Sequence, residues 1–212
     1  MKKIIKNGQG EYIEKKSKFI AHIFNVESEQ QAAAIIAEVK KKYWDARHNC
    51  YAYILGNKGE IQRFSDDGEP SGTAGKPILE VLSGNECSNC LCIVTRYFGG
   101  VLLGTGGLIR AYTSASKEAL DDCLTGELVE GVHAYLDADY NYVGKIQHLC
   151  TQYDITVVNT EYSDNVIFEL MMEKQVRQRF EKALTEMSSG RIGLRDIKEV
   201  KMYRDGRGIL SL

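Results

Sequence analysis

Two glycine-dense segments hold the residues of this chain whose types and spacing suit chemistry. The first, RFSDDGEPSGTAGKP at 63–77, sets Asp66, Asp67 and Glu69 close together and runs on through Gly72, Gly75 and Lys76. The second, TRYFGGVLLGTGGLIRAY at 95–112, sets Arg96 and Arg110 around Gly99, Gly100, Gly104, Gly106 and Gly107. Both prolines and eight of the twenty glycines fall in these two segments, so turn chemistry is concentrated there. A helix start leaves backbone N–H groups unpaired and carries partial positive charge. A glycine loop that opens a helix beside a cation therefore suits a phosphate or another anion. On this reading Lys76, Arg96 and Arg110 are the cations, and the amides of the seven glycines named above, Gly72 to Gly107, are the donors. Asp66, Asp67 and Glu69 would repel a phosphate. They are expected to cap the loop or to pair with Arg63 or Arg96, with metal ligation or acid–base work as the alternative.

Named nucleotide loops do not fit. A Walker A loop ending on Gly75-Lys76 needs glycine where Pro70 stands and a hydroxyl where Pro77 stands. A dinucleotide fingerprint starting at Gly104 needs its third glycine at Ile109. The glycines of the second loop have a packing reading of equal weight, letting a helix pass close to a strand. Tyr97, Phe98 and Tyr112 interleave with the arginines, an arrangement that can stack single-stranded bases, although each ring alone suits a core.

Six cysteines are present. Cys87, Cys90 and Cys92 include one C-x-x-C, half of a structural zinc pattern, and no second pair accompanies it, so no metal and no cofactor is expected. Cys50, Cys92, Cys123 and Cys150 lie in apolar patterns and read as core thiols. His48 and Cys50 are two apart on a predicted strand and share a face, but a nucleophilic pair also needs an oxyanion donor. A structural hydrogen bond is the simpler role for His48. No G-x-S-x-G or H-E-x-x-H occurs.

These segments, with RHNCYAY at 47–53, resemble the signature of the YigZ/Impact family. The likeness covers roughly the first 125 residues, and the remainder fits the second domain of bacterial members. It implies an α+β protein with a first domain of the ribosomal-protein-S5 second-domain type and a ferredoxin-like second domain. It also implies translation control, because eukaryotic Impact proteins compete for a ribosome-associated activator of the amino-acid-starvation kinase. Together the residues and the resemblance lead to an RNA- or ribosome-associated regulator of translation that is not an enzyme. A small-molecule enzyme for a phosphorylated ligand and a protein–protein adaptor are the alternatives.

The elements that must position these loops follow from periodicity. Lys16–Val26 and Asn49–Leu55 read as strands, and Ser28 caps a helix to Lys42 with Ala32, Ile35, Ile36 and Val39 on one side. CLCIVT at 90–95 reads as a buried strand, and a helix runs from Thr105 or Gly106 to about Cys123. Residues 125–131 read as a linker between domains at 1–126 and 131–212. Beyond it the order is βαββαβ, the split-βαβ unit. The net charge of −2 argues against wholesale polyanion binding but leaves room for a local basic patch. With no apolar stretch long enough for a signal or a span, a cytoplasmic location without membrane contact is expected.

Overall fold

The computed structural model describes residues 1–205 and, for 208–210, the backbone. Contacts divide the chain into two compact units, Met1–Gly126 and Glu127–Leu212.

The first unit runs β1 (Lys2–Lys6), β2 (Gly8–Glu14), β3 (Ser17–Asn25), α1 (Glu29–Lys42), β4 (His48–Leu55), β5 (Ile61–Ser65), α2 (Gly75–Gly84), β6 (Cys87–Ser88), β7 (Cys90–Tyr97) and α3 (Gly104–Asp121). Helix α1 starts as its sequence dictates: Ser28 Oγ accepts from Gln31 N at 3.1 Å. Glu29 lies in its first turn and Lys40, Lys41 and Lys42 in its last, matching the helix dipole. The main sheet has the order β2-β3-β7-β4-β5, with every neighbour antiparallel. Helices α2 and α3 cover one face, where Ile78, Leu82, Ala111 and Ala115 pack on Phe19, Ala21, Ala52, Cys92 and Val94. Helix α1 covers the other face, with Ala32 and Val39 against Tyr53, Leu55, Leu91 and Ile93. The middle strand β7 is thus sandwiched, which is why its run from Cys90 to Arg96 is buried on both sides.

The second unit completes β8 (Leu124–Ala138) and adds α4 (Val143–Gln152), β9 (Thr156–Tyr162), β10 (Val166–Glu173), α5 (Lys174–Ser188), β11 (Leu194–Asp205) and β12 (Gly208–Leu210). Its strands lie in the order β9-β10-β8-β11-β12, all antiparallel. Along β10, Val166, Phe168, Leu170 and Met172 turn inward in strict alternation and meet Ile146, Cys150, Phe180 and Leu184 of α4 and α5.

The segment expected as a linker is strand. Thr125 and Gly126 pair with Ile4 and Lys3 of β1, and residues 127–131 pair with β11, so the boundary between the units falls inside β8. Gly131 reads as flexible in sequence, yet a Cβ there would overlap the Met202 side chain. Strands β1 and β2 are also additions to the sequence reading. No helix among the described residues is long and apolar enough to cross a membrane.

Candidate functional site

The three signature segments, far apart in sequence, meet at one end of the first unit's sheet. Strand register sets His48 opposite Arg96 and Asn49 opposite Thr95, and β5 delivers the chain into the loop that begins at Asp66. Each of the three carboxylates there already has partners. Asp66 Oδ1 accepts from the amides of Ala74 (3.0 Å) and Gly75 (2.8 Å), and Oδ2 accepts from Gly72 N (2.8 Å). The start of α2 therefore holds an anion, but it is the protein's own. Asp67 Oδ2 accepts from Asn49 N at 2.7 Å and Oδ1 pairs with Lys40 Nζ at 2.6 Å. The Asp67 carbonyl meets His48 Nδ1 at 2.9 Å, which gives His48 its structural role.

Glu69 goes deepest. Its side chain is 3% exposed, and Oε1 accepts from Arg96 Nη1 at 2.7 Å and from the Tyr112 hydroxyl at 2.9 Å. The Arg96 guanidinium lies between the Phe19 and Phe98 rings, its central carbon 5.5 and 5.7 Å from their centroids. Its Nε is buried and has no hydrogen-bond partner among the described residues. The sequence leaves Arg96 two roles, a cation for an outside anion and a partner for the acidic loop; the structure has it as the internal counter-charge of Glu69, because β7 is the central strand and is buried as far as this residue. Cys50 Sγ completes the cluster, 3.0 Å from the Asp66 carbonyl and 3.3 Å from the Tyr112 hydroxyl. Burial pushes the Cys50 thiol up; the hydrogen bond with Tyr112 opposes this and the carboxylates of Glu69, Asp67 and Asp66 add to it. Burial likewise raises Tyr112, an interior residue that stacks edge-on against Phe19.

The second loop divides. Gly99 is a packing glycine: its amide donates to Ser17 Oγ at 3.1 Å, and a Cβ would overlap backbone atoms of Lys16 and Ser17. Gly100 and Gly104 are different. They have φ of +85° and +69°, the left-handed region, and face open space. Gly104 and Gly106 are exposed at the start of α3, where no side chain caps the helix, and Gly107 is buried against Leu103. Arg110 is exposed on the same turn, with its Nη1 3.7 Å from where a Cβ of Gly106 would stand. Lys76 is exposed and 3.9 Å from Glu80 Oε1. The structure thus separates Lys76, Arg110 and the amides of Gly104 and Gly106, which face outward, from Arg96, Gly72 and Gly75, which do not.

Apolar exposure between these glycines went unread in the sequence. Leu102 is 84% exposed, and Phe98, Val101 and Ile109 are also open. The signal was present as Val101-Leu102 in a loop whose glycines forbid a regular element. Trp44, 82% exposed, stands just beyond α1 beside Asp45, whose carboxylate accepts from the Tyr97 hydroxyl at 2.7 Å.

Five of the six cysteines are buried, and Cys123 is partly so. Among the described residues no group of three or more His, Cys, Asp or Glu side chains is placed to hold a metal ion. Cys87, Cys90 and Cys92 are buried free thiols, and Cys92 Sγ meets Ser116 Oγ at 3.7 Å. A hydrogen bond from Cys90 holds Cys87 below the usual thiol range.

Fold and site describe a mixed α/β protein of two domains, in which three sequence signatures close on one buried polar network. The chain belongs to the IMPACT family. Its residues 15–120 match the model of the Impact N-terminal domain, and residues 136–191 match a domain of unknown function, DUF1949. It is 41% identical to IMPACT family member YvyE of Bacillus subtilis (strain 168) over 91% of this chain and 87% of that one. It is 35% identical to IMPACT family member YigZ of Escherichia coli (strain K12), over 87% of this chain and 92% of that one. Among solved structures, a crystal structure of a hypothetical protein is similar, with 32% identity, a TM-score of 0.57, and coverage of 91% of this chain and 95% of the other.

Proposed function

We propose that this protein is a non-catalytic docking factor that regulates translation through a partner on the ribosome. One observation carries the reading: Asp66, Glu69 and Arg96 of the signature are taken up by internal partners, and the loop from Phe98 to Arg110 beside them is exposed. Apolar side chains such as Leu102 in such a loop mark a surface for a protein. The translation link comes from the family, whose eukaryotic members act there. The strand order β9-β10-β8-β11 supports a ferredoxin-like second domain, and the antiparallel first sheet is in keeping with the S5-type fold. Both are fold-level arguments and leave function to the site.

A second reading, contact with RNA, draws on Arg110, Lys76 and the uncapped amides at the start of α3. One experiment separates the two. The protein is co-sedimented with ribosomes from lysate over a salt series, with and without ribonuclease. The protein-docking reading expects Leu102→Asp to lower the bound fraction at least about fivefold, roughly 1 kcal/mol of lost apolar contact, with little salt dependence. The RNA reading expects Arg110→Glu and Lys76→Glu to dominate, nuclease sensitivity, and a log–log salt slope of about −1.4 for two contacts at about 0.7 each. No co-sedimentation of the parent protein at low salt would remove both.

A further inference from the structure

A separate cleft lies on the α1 side of the first unit's sheet, where α1 leaves β2 and β3 uncovered. Its volume is about 480 Å³, within the range of small-molecule sites. The floor is His22 and Phe24 of β3. The wall is Ile35, Glu38, Val39 and Lys42, which recur at helical spacing and so form one face of α1. These four span about 10 Å along the helix at 1.5 Å per residue, room for one compact molecule and too short to seat a partner helix.

Glu38 and Lys42 stand at i,i+4, the spacing that closes into an ion pair at Lys76–Glu80, Arg177–Glu181 and Lys182–Glu186. Among the described residues Glu38 and Lys42 form no such pair. The Lys42 ammonium sits instead over the Tyr43 ring, 5.0 Å from its centroid. Next to it, His22 Nε2 is hydrogen-bonded to the Tyr43 hydroxyl at 2.9 Å, which fixes the ring at the cleft floor. Burial, then the Lys42 charge, lowers the His22 pKa, so the imidazole is neutral near pH 7 and brings no second cation to the cleft.

The geometry points to a binding site for a small zwitterion with an apolar side chain, the chemistry of a free α-amino acid. Lys42 would take the carboxylate and Glu38 the ammonium group, two counter-charges about 6 Å apart along the helix axis. The side chain would lie on Phe24, Ile35 and Val39. This site is distinct from the Phe98–Arg110 loop and does not rest on the docking reading.

The test is a titration of the isotope-labelled full chain, followed by amide resonances. L-Leucine at millimolar concentration is expected to shift the signals of Phe24, Ile35 and Val39. N-acetyl-L-leucine lacks the ammonium group and L-leucinamide lacks the carboxylate, and each should bind about tenfold more weakly for its lost charge contact. The exposed positions 38 and 42 permit folded variants that cross-check the roles. Glu38→Gln should weaken L-leucine but not the acetylated form, and Lys42→Gln should weaken L-leucine but not the amide. Absence of site-specific shifts at millimolar L-leucine would overturn the assignment, as would equal binding of the amino acid and both derivatives.

Discussion

Glu69→Gln is expected to cost about 3–5 kcal/mol of unfolding free energy, the loss seen when one partner of a buried ion pair is removed. The glutamine keeps the shape and can still accept a hydrogen bond from the Tyr112 hydroxyl. It cannot neutralise Arg96, whose side chain is 8% exposed and whose Nε has no partner among the described residues. An uncompensated guanidinium would then sit between Phe19 and Phe98. Removing both charges should do far less harm, because desolvating the pair already offsets much of its attraction. The double variant Arg96→Met with Glu69→Leu is therefore expected to lose much less than the sum of its two single losses. Urea unfolding midpoints, compared at unchanged slope, decide the matter. A Glu69→Gln protein within about 1 kcal/mol of the parent would show that the network does not secure the loop.

The second large effect is expected at Gly99. An added methyl would overlap backbone atoms of Lys16, in the turn before β3, and of Ser17, where β3 begins. Gly99→Ala should cost about 3 kcal/mol, at the upper end of overpacking penalties. Gly104→Ala meets no atoms and carries only left-handed strain, about 1 kcal/mol. The contrast reads out in thermal unfolding of the two proteins: a midpoint drop several times larger for Gly99→Ala. Equal midpoints would remove the packing role of Gly99, and with it the division of this loop into a braced half and an open half.

What the sequence revealed depended on range. The second unit was legible because its elements are regular and locally signalled. Its βαββαβ order is readable from the succession of patterns, and the alternation along β10 emerges from period alone. Strands β1 and β2 escaped because lysines and glycines dilute their alternation, and β1 pairs with the distant β6 and β8. The chain at 125–131 looked like a linker because Gly126 and Gly131 weaken any strand pattern, whereas here glycine makes room for a neighbour across the sheet. Within the site, the acidic loop was legible as acidic and as part of a turn. Which charge answers Glu69 was not, since residues 69 and 96 meet only after β4, β5 and β7 are in register. Burial of Arg96 follows from the position of β7 in the sheet, a property that no local window contains. Exposure of Leu102 is the same lesson reversed: an apolar residue reads as core until the fold leaves it outside.

The exposed indole of Trp44 has an optical consequence. It is the single tryptophan of the chain, and its ring stands in water in the folded protein. Its emission is therefore that of a solvated indole before any denaturant is added, and unfolding the core alters its surroundings little. Intrinsic fluorescence is accordingly a poor witness to stability here, and midpoints belong to circular dichroism or calorimetry. A molecule that covered this exposed ring would shift its emission to the blue with no label attached. The chain thus carries its own optical probe of the surface, one that is silent about the interior.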